Sequence, residues 1–391
     1  MTAPLCHYFG KCGGCTLQHL DYSLQRENKR KRLGQILDKV VDFDEEKIKI
    51  FFDKEYYYRN RMDFLFTPKG LGMREKGSTV RVIDVEQCVI ASEGINLVLR
   101  ELRSYFKDND YYNLISNKGT LKSAVVRSSR LGEKAVCFML NGESSHLGEV
   151  IEKIKQFAKQ TSADKVILIS DNNKEGEDNV EEDNILVVKG TEFMREKLSG
   201  KEFSYPIFGF FQNNSFVGEK MQDYVRELLT HYNTKGAKLL DLYAGVGTFG
   251  IINADLFESA AIMESFMEGI AEARKNVVEN KIMNALTYNL DAKQLRKVPL
   301  SGKLFVIVDP PRSGMDSKVI QQLQYLKPEV IIYVSCNPEQ LGKDLVKFKD
   351  YKLKSAALFD MFPQTSHSEV VAELARKIEK RGRALDQLIL K

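Results

Sequence analysis

The 391-residue sequence contains no apolar run that approaches the ~18 residues needed to cross a membrane. Its first residues, MTAPLCHYF, also lack the charged start followed by an apolar core that marks a secretory signal. We therefore expect a cytoplasmic protein with no membrane partner. Because the cytoplasm is reducing, clustered thiols in such a protein bind metal more often than they pair as disulfides.

A strong excess of charge is also missing, since 58 basic residues nearly balance 54 acidic ones and leave a formal net charge of +4. This balance does not by itself indicate a polyanionic partner. The basic residues are concentrated locally in the run RENKRKR, from Arg26 to Arg32. Such a run can contact phosphates, and it can equally be the solvated face of a helix.

Cysteine is scarce, with six in the chain, yet three of them fall in the short stretch CHYFGKCGGC. Cys6, Cys12 and Cys15 have the spacing Cys-x5-Cys-x2-Cys. Thiols clustered in this way predict a metal centre near the start of the chain.

The pattern of apolar residues predicts three parts. Residues 1–50 hold the cysteine motif and a helix over residues 17–40. Residues 51–198 contain short β-like stretches, among them RMDFLF and KAVCFML, separated by glycine and polar turns. Residues 199–391 alternate strands with helices, which predicts a doubly wound α/β domain with a mainly parallel sheet.

Two further segments have a biased composition. The acidic stretch at residues 171–184 has no apolar periodicity and is predicted to be an exposed loop between two strands. The final stretch, RKIEKRGRALDQLILK, is a basic helical tail to which no role is assigned.

Polar residues at the carboxyl ends of the α/β strands are candidates for ligand binding, because ligands of such sheets bind there. The stretch LLDLYAGVGTFGI places Gly245 and Gly247 where a first strand turns into a helix, and glycine lets the backbone approach a ligand closely. GVGTFG also fits the dinucleotide fingerprint, so nicotinamide, flavin and S-adenosylmethionine all remain open. Glu264 ends the next predicted strand and is placed to bind ribose hydroxyls.

Three chemically distinctive residues follow later strands. Asp309 precedes two prolines in IVDPPRSGM, which is typical of methyltransferases that act on bases or planar amides. Cys336 ends the run VIIYVSC, and Glu369 lies in FPQTSHSE. Methylation of uracil at carbon 5 needs a thiolate to add to carbon 6, a sulfonium methyl donor, and a base to remove the carbon-5 proton. Cys336, Glu369 and the glycine turn supply that set.

These motifs together resemble the RNA uracil-5-methyltransferase family, whose members form 5-methyluridine in tRNA and 23S rRNA. The resemblance spans nearly the whole chain and rests on seven stretches: CHYFGKCGGC, YRNRMDF, FFQNN, DLYAGVGTFG, DPPRSG, SCNP and FPQTSHSE. It implies a Rossmann-like methyltransferase domain in which Cys336 is the nucleophile and Glu369 the proton acceptor. The S-adenosylmethionine contacts that it implies are Gln212, Tyr243, Glu264 and Asp309.

The resemblance also implies what the cysteine motif holds. Iron–sulfur members of the family ligate a 4Fe-4S cluster with three clustered cysteines and one distant cysteine, and Cys88 matches the fourth ligand. Zinc bound by four cysteines is the alternative, but structural zinc sites usually pair Cys-x2-Cys with a second similar pair, and Cys88 has no such neighbour. Cys137 is left over and is expected in the core.

The expected partner is structured RNA, contacted partly by the central domain at residues 51–198. The cysteine motif slightly favours 23S rRNA over the T-loop of tRNA, and we expect the protein to act as a monomer. A cytosine-5-methyltransferase remains possible, although the DNA enzymes of that kind use a Pro-Cys nucleophile and no cysteine here follows a proline. A non-catalytic, metal-stabilised RNA-binding protein is disfavoured by the presence of both Cys336 and Glu369.

Overall fold

The structure is a computed structural model that describes residues 2–41, 43–68, 70–171 and 185–377. The acidic stretch, apart from the backbone of its first residue, and the basic tail beyond residue 377 lie outside the described residues. None of the helices in the described ranges is long and apolar enough to cross a membrane.

The helices of the described residues are α1 (Tyr22–Val41), α2 (Glu93–Tyr105), α3 (Leu147–Gln160), α4 (Ser215–Thr230), α5 (Thr248–Asn253), α6 (Met267–Glu279), α7 (Ser317–Leu326) and α8 (Pro338–Leu345). The strands are β1 (Lys49–Phe51), β2 (Arg61–Thr67), β3 (Gly70–Arg74), β4 (Val82–Asp84), β5 (Leu121–Ser128), β6 (Lys134–Asn141), β7 (Lys165–Asp171), β8 (Ile185–Lys189), β9 (Phe193–Leu198), β10 (Lys201–Pro206), β11 (Ala237–Leu242), β12 (Ser259–Glu264), β13 (Ala285–Asn289), β14 (Lys303–Val308), β15 (Val330–Ser335), β16 (Tyr351–Phe359) and β17 (Glu369–Arg376).

The second half of the chain builds an eight-stranded sheet in the order β1-β16-β17-β15-β14-β11-β12-β13. Strands β11 to β15 are parallel, whereas β17 runs antiparallel between β15 and β16. The four runs predicted as buried strands are β11, β12, β14 and β15, and their residues are almost entirely buried. The prediction of a doubly wound α/β domain is therefore confirmed.

Part of the N-terminal region belongs to the same packing unit. Strand β1 adds to the sheet in parallel with β16. Leu33 and Leu37 of α1 lie one helical turn apart and are buried in the core beneath the sheet, together with Ile48. The helix begins at Tyr22 and not at residue 17 as predicted, because the carboxylate of Asp21 accepts a hydrogen bond from the N–H of Ser23 and caps the first turn.

The central region forms a seven-stranded sheet in the order β4-β3-β2-β5-β6-β7-β8. The stretches RMDFLF and KAVCFML form β2 and β6, as predicted. Helices α2 and α3 cover one face of this sheet. Its other face packs on the β9–β10 hairpin and on α5 and α6, where Cys137 lies in a core shared with Ile251 and Ile270. This shared core holds the two sheets together.

Candidate active site

Cys336 and Glu369 are brought together by the antiparallel pairing of β15 with β17. Ser335, the last residue of β15, pairs with Val370. The next residues outward along both strands are Cys336 and Glu369, so the two side chains meet at the edge of the sheet. Asp309 directly follows β14, the parallel neighbour of β15, and reaches the same edge.

The surroundings of Cys336 oppose ionisation of its thiol. The side chain is half-buried, and burial, followed by the charges of Glu369 and Asp309, raises its pKa to about 11. The guanidinium of Arg312 acts in the opposite direction. The thiol is therefore neutral near pH 7 in the absence of a substrate, and Arg312 is the nearby positive charge that favours the thiolate.

Glu369 lies in a still less polar setting. Its side chain is 6% exposed, and burial, followed by the charge of Asp309, raises its pKa well above the usual range. Arg312 again opposes the shift. Burial also raises the pKa of Asp309 to about 7. A raised pKa makes the carboxylate form of such a group a stronger base, although less of the group is in that form near pH 7.

The two glycines of the turn after β11 have different surroundings. Both have left-handed backbone angles, with φ of +53° for Gly245 and +84° for Gly247. A Cβ atom at Gly245 would meet no other atom within 4 Å, so this glycine borders open space. A Cβ atom at Gly247 would lie 3.2 Å from Ile251 Cδ1, so this glycine is needed for packing. Gly245 is thus the glycine that a ligand can approach.

Glu264 organises the backbone around this turn. Its Oε2 accepts a hydrogen bond from the N–H of Gly245 at 3.0 Å. Its Oε1 accepts from the N–H groups of Ser265 and Phe266 at 2.7 and 2.8 Å. The carboxylate, at the end of β12, therefore links the glycine turn to the start of α6.

Tyr243 directly follows β11 and has a left-handed backbone, with φ of +64°. Aromatic residues rarely adopt this conformation, and such strain is concentrated at functional sites. The ring packs against the core beneath the sheet, and its burial raises the pKa of the phenol.

Gln212 lies in the loop that leads into α4, and Asn60 from the YRNRMDF stretch holds that loop. The side-chain amide of Asn60 donates to the carbonyl of Gln212 at 2.9 Å and to Ser215 Oγ at 2.8 Å. The Asn214 side chain accepts from the N–H of Val217 as the cap of α4, and its amide donates to the carbonyl of Met361 at 3.2 Å. The loop with Gln212 is therefore joined both to the central sheet and to the segment before Glu369.

The segment at residues 360–368, which leads to Glu369, is held by residues from the first part of the chain. Lys29 Nζ lies 2.6 Å from Asp360 Oδ1. The phenol of Tyr58 donates to the carbonyl of Pro363 at 3.0 Å. Neither contact was predicted, because each joins residues that are far apart in sequence.

The burial of Lys29 corrects the interpretation of the basic run as a phosphate-binding surface. Lys29 is only 5% exposed, so for that residue neither of the two alternatives, phosphate contact or a solvated helix face, applies. Arg30 forms ion pairs with Glu27 and Glu46, and Arg32 forms one with Glu339. Most of the run therefore joins α1 to its surroundings.

The four cysteines expected to bind a metal centre lie close enough together for the charge of one to affect the pKa of another. Cys6, Cys12, Cys15 and Cys88 are half-buried and free of disulfides. Burial raises the pKa of Cys15 to about 12, and the charges of Cys88, Cys6 and Cys12 add to the rise. Within the described ranges, however, no three or more His, Cys, Asp or Glu side chains are grouped so as to hold a metal ion. Cys137 is fully buried in the core, as expected.

Two residues near the site were not predicted from the sequence to belong to it. Arg312 lies in the DPPRSG stretch, close enough to Cys336 and Glu369 to shift both pKa values. Gln364 lies in FPQTSHSE and has a left-handed backbone. Both residues could have been found from the sequence, because each lies inside a motif that had already been recognised.

Comparisons with known proteins identify the family of the chain. A model of the family described as tRNA (Uracil-5-)-methyltransferase matches residues 21–377. The tRNA (uracil(54)-C(5))-methyltransferase of Pyrococcus abyssi is 34% identical over 373 residues, which cover 95% of this chain and 85% of the relative. An uncharacterised RNA methyltransferase of Caldanaerobacter subterraneus is 33% identical over 384 residues, with coverage of 95% and 84%.

A solved structure is also similar. The crystal structure of the Pyrococcus abyssi tRNA (uracil-54, C5)-methyltransferase in complex with S-adenosyl-L-homocysteine superposes with a TM-score of 0.76 at 30% identity. The match covers 93% of this chain and 86% of that one. The likeness therefore extends over both sheets, and the resemblance noted from the motifs is confirmed: the chain belongs to the tRNA (uracil-5-)-methyltransferase family.

Proposed function

We propose that this protein uses S-adenosylmethionine to methylate carbon 5 of a uridine in tRNA, through a covalent bond between Cys336 and the base. The observation that carries the proposal is the placement of Cys336 and Glu369 side by side at the end of β15 and the start of β17. The reaction needs a nucleophile and a base on the same substrate ring, and this register supplies both.

Cys336 acts first. Its thiolate forms a bond to carbon 6 of uracil, and the electron pair of the 5,6 double bond moves onto the carbonyl at carbon 4 as an enolate. Carbon 5 then takes the methyl group from the sulfonium, whose carbon–sulfur bond breaks to leave S-adenosylhomocysteine. Burial raises the pKa of the Cys336 thiol to about 11. The nearby Arg312 guanidinium lowers this pKa and so assists the attack by favouring the thiolate.

Glu369 acts second. Its carboxylate takes the proton from carbon 5, the electron pair of that bond re-forms the 5,6 double bond, and the bond between carbon 6 and Cys336 sulfur breaks. The raised pKa of Glu369 makes its carboxylate a stronger base than a solvated glutamate. The two residues thus have separable roles.

The residues at the carboxyl ends of the parallel strands are suited to bind the methyl donor, S-adenosylmethionine. Gly245 borders open space beside the ends of the parallel strands, where nucleotide-type ligands of such sheets bind. We assign contacts with the donor to Gly245, Glu264 and Asp309, together with Gln212 and Tyr243. Gly247 supports the turn by packing.

The proposed RNA substrate is tRNA and not 23S rRNA. The cysteine motif slightly favoured 23S rRNA, but the named relatives from Pyrococcus are methyltransferases of tRNA uracil 54. We therefore place the substrate in the T-loop of tRNA, in the cytoplasm. The target base must leave its stack to reach Cys336, at a cost of about a few kcal/mol.

We further propose that Cys6, Cys12, Cys15 and Cys88 bind a 4Fe-4S cluster. The electrostatic influence of Cys88, Cys6 and Cys12 on Cys15 supports this, and Gln18 Oε1 helps to hold the motif by accepting from the N–H of Cys6 at 3.0 Å. The buried Nε2 of Gln18 has no hydrogen-bond partner among the described residues and lies beside Cys15, where it can donate to a sulfur atom. Methyl transfer needs no electrons, so the group would organise the surrounding polypeptide.

A denaturing gel of protein incubated with labelled tRNA and S-adenosylmethionine tests the proposal. Glu369→Gln should accumulate a slow-migrating protein–RNA band, because the methylated base stays bonded to Cys336. Cys336→Ala should give neither the band nor methylated RNA. Cys137→Ala, which changes a core cysteine of the central sheet, is the matched control and should retain methylation. Methylation by Cys336→Ala would refute the mechanism.

A separate experiment tests which RNA position is methylated and whether the methylated base is uracil or cytosine. In a strain that lacks the gene, 5-methyluridine should be lost from position 54 of tRNA and retained in 23S rRNA. Loss from rRNA alone would move the substrate to the ribosome, and loss of 5-methylcytidine would indicate a cytosine-5-methyltransferase.

A further inference from the structure

Gln364 connects the cysteine motif to the segment that ends at Glu369. Its backbone carbonyl accepts hydrogen bonds from the N–H groups of Thr16 and Leu17 at 2.9 and 3.0 Å. Thr16 directly follows Cys15 in the chain. The first residues after the cysteine motif are therefore bonded to the polypeptide that leads to the proposed proton acceptor.

The side chain of Gln364 makes a second set of contacts. Its Oε1 accepts from Gln25 Nε2 at 2.9 Å, and its Nε2 donates to Glu55 Oε2 at 3.0 Å. The backbone N–H of Gln364 donates to Gln25 Oε1 at 3.0 Å. Gln25 in turn uses its amide to donate to the carbonyls of Leu17 and Leu20. Each polar group of Gln364 is thus bonded to a residue from the first part of the chain.

The backbone conformation of Gln364 indicates that its surrounding contacts hold it in place. Its φ is +68°, a left-handed conformation that glycine adopts without cost and glutamine rarely adopts. The residue is also only 1% exposed. Strain of this kind persists where the surrounding contacts determine the conformation, and it is concentrated at functional segments.

Cys336 is held by a different set of contacts. The Asn337 side chain caps α8 by accepting from the N–H of Gln340 at 3.3 Å, and its amide donates to the carbonyl of Arg312 at 3.0 Å. The N–H of Asn337 donates to Ser335 Oγ. These contacts do not involve Gln364, so a change at Gln364 can affect Glu369 and leave the nucleophile in place.

We propose that Gln364 is a positioning residue for proton removal, which holds the Glu369 carboxylate beside Cys336 by anchoring its loop to the residues after the cysteine motif. The inference rests on the proposed function, in which Glu369 acts after methyl transfer. Loss of order in the cysteine motif should therefore displace Glu369 and slow proton removal, without slowing the attack by Cys336.

The test separates the two steps in single-turnover reactions with labelled tRNA. Gln364→Gly keeps the backbone conformation accessible but removes the side chain, and Gln25→Ala removes its partner. Each variant should form the covalent adduct at nearly the wild-type rate but release the methylated product about tenfold or more slowly, because small displacements of a catalytic group have large effects. The double variant should be little slower than either single variant, because both remove one interaction.

The matched control is Gln322→Ala, which removes a buried glutamine whose amide donates to the carbonyl of Lys293 at 2.9 Å, away from the active site. It should lower the unfolding temperature without slowing product release. If Gln364→Gly releases product at the wild-type rate, or slows attack and release equally, the positioning role is refuted. If Glu369→Gln itself accumulates no adduct, the proposed function fails first.

The link to the cysteine motif has its own measurement. Cys15→Ser should increase hydrogen exchange at the amides of Thr16 and Leu17 and should also slow product release. Normal release by Cys15→Ser, together with increased exchange, would refute transmission from the motif. Unchanged exchange and unchanged release would refute it as well.

Discussion

Lys29 Nζ lies 2.6 Å from Asp360 Oδ1, in an ion pair that joins the first helix to the segment before Glu369. Both side chains are buried, and Lys29 also donates to the carbonyl of Phe362 at 3.1 Å. Burial lowers the pKa of Lys29, whereas the charge of Asp360 opposes that shift. A residue from the most basic stretch of the sequence therefore supports the segment that leads to Glu369 in the candidate active site.

Removal of this ion pair should destabilise the protein strongly. Lys29→Met leaves the Asp360 carboxylate buried without its cation, which typically costs about 3–5 kcal/mol of unfolding free energy. Urea unfolding measures the loss. Lys31→Gln on the same helix is the control, because Lys31 is exposed and pairs with Glu27 only at 3.8 Å. The assignment is contradicted if the two variants are equally stable.

The pKa of Cys336 should fall when Glu369 is replaced. The thiol pKa of about 11 has burial as its main cause and the charge of Glu369 as the next. Glu369→Gln removes that negative charge, so the thiolate should form at lower pH than in the wild type. The rate of iodoacetamide alkylation at Cys336, followed by mass spectrometry across pH, measures this change. Glu329→Gln, at the far end of β15, should leave the profile unmoved.

Replacement of Arg312 should have the opposite effect. Its charge lowers the pKa of both Cys336 and Glu369. Arg312→Gln should therefore move the alkylation profile of Cys336 to higher pH and slow adduct formation near pH 7, whereas Arg312→Lys should restore part of the rate. An unchanged alkylation profile in Arg312→Gln would remove Arg312 from the proposed activation of the thiol.

Alanine at the two glycines of the turn should have different effects on ligand binding and on stability. Gly245→Ala places a methyl group in open space beside the turn, and we expect it to weaken S-adenosylhomocysteine binding about tenfold or more. Both positions have a left-handed φ that strains alanine, but Gly247→Ala also places its methyl group 3.3 Å from Ala273 Cβ and 3.2 Å from Ile251 Cδ1, so its stability should fall further than that of Gly245→Ala. Calorimetric titration and thermal unfolding distinguish them. Equal affinities in the wild type and Gly245→Ala would contradict the assignment.

The cysteine site predicts a brown, oxygen-sensitive protein when it is purified without air. Iron analysis should give about four atoms per chain, as a 4Fe-4S cluster requires. Cys88→Ser should lose this iron, although Cys88 is distant from the other ligands in sequence. Stoichiometric zinc without iron under the same conditions would favour the alternative metal.

The sequence by itself determined the features that depend on neighbouring residues. The apolar runs that form β11, β12, β14 and β15 are visible as runs, and the glycines after β11 are readable as a turn. The side chains proposed to be catalytic, Cys336 and Glu369, lie inside short recognisable motifs. These signals are local, because a buried strand and a glycine turn each leave their pattern within a few residues.

The tertiary structure alone decided how those local features meet. The pairing of Ser335 with Val370 brings Cys336 and Glu369 together, and hydrogen bonds from Gln25 to Gln364 join the two ends of the chain. Lys29 looked like part of an exposed basic run and is buried because its helix packs on the sheet. Burial and pairing arise from contacts between distant parts of the chain, and they shift the pKa values of Cys336 and Glu369, the proposed nucleophile and base.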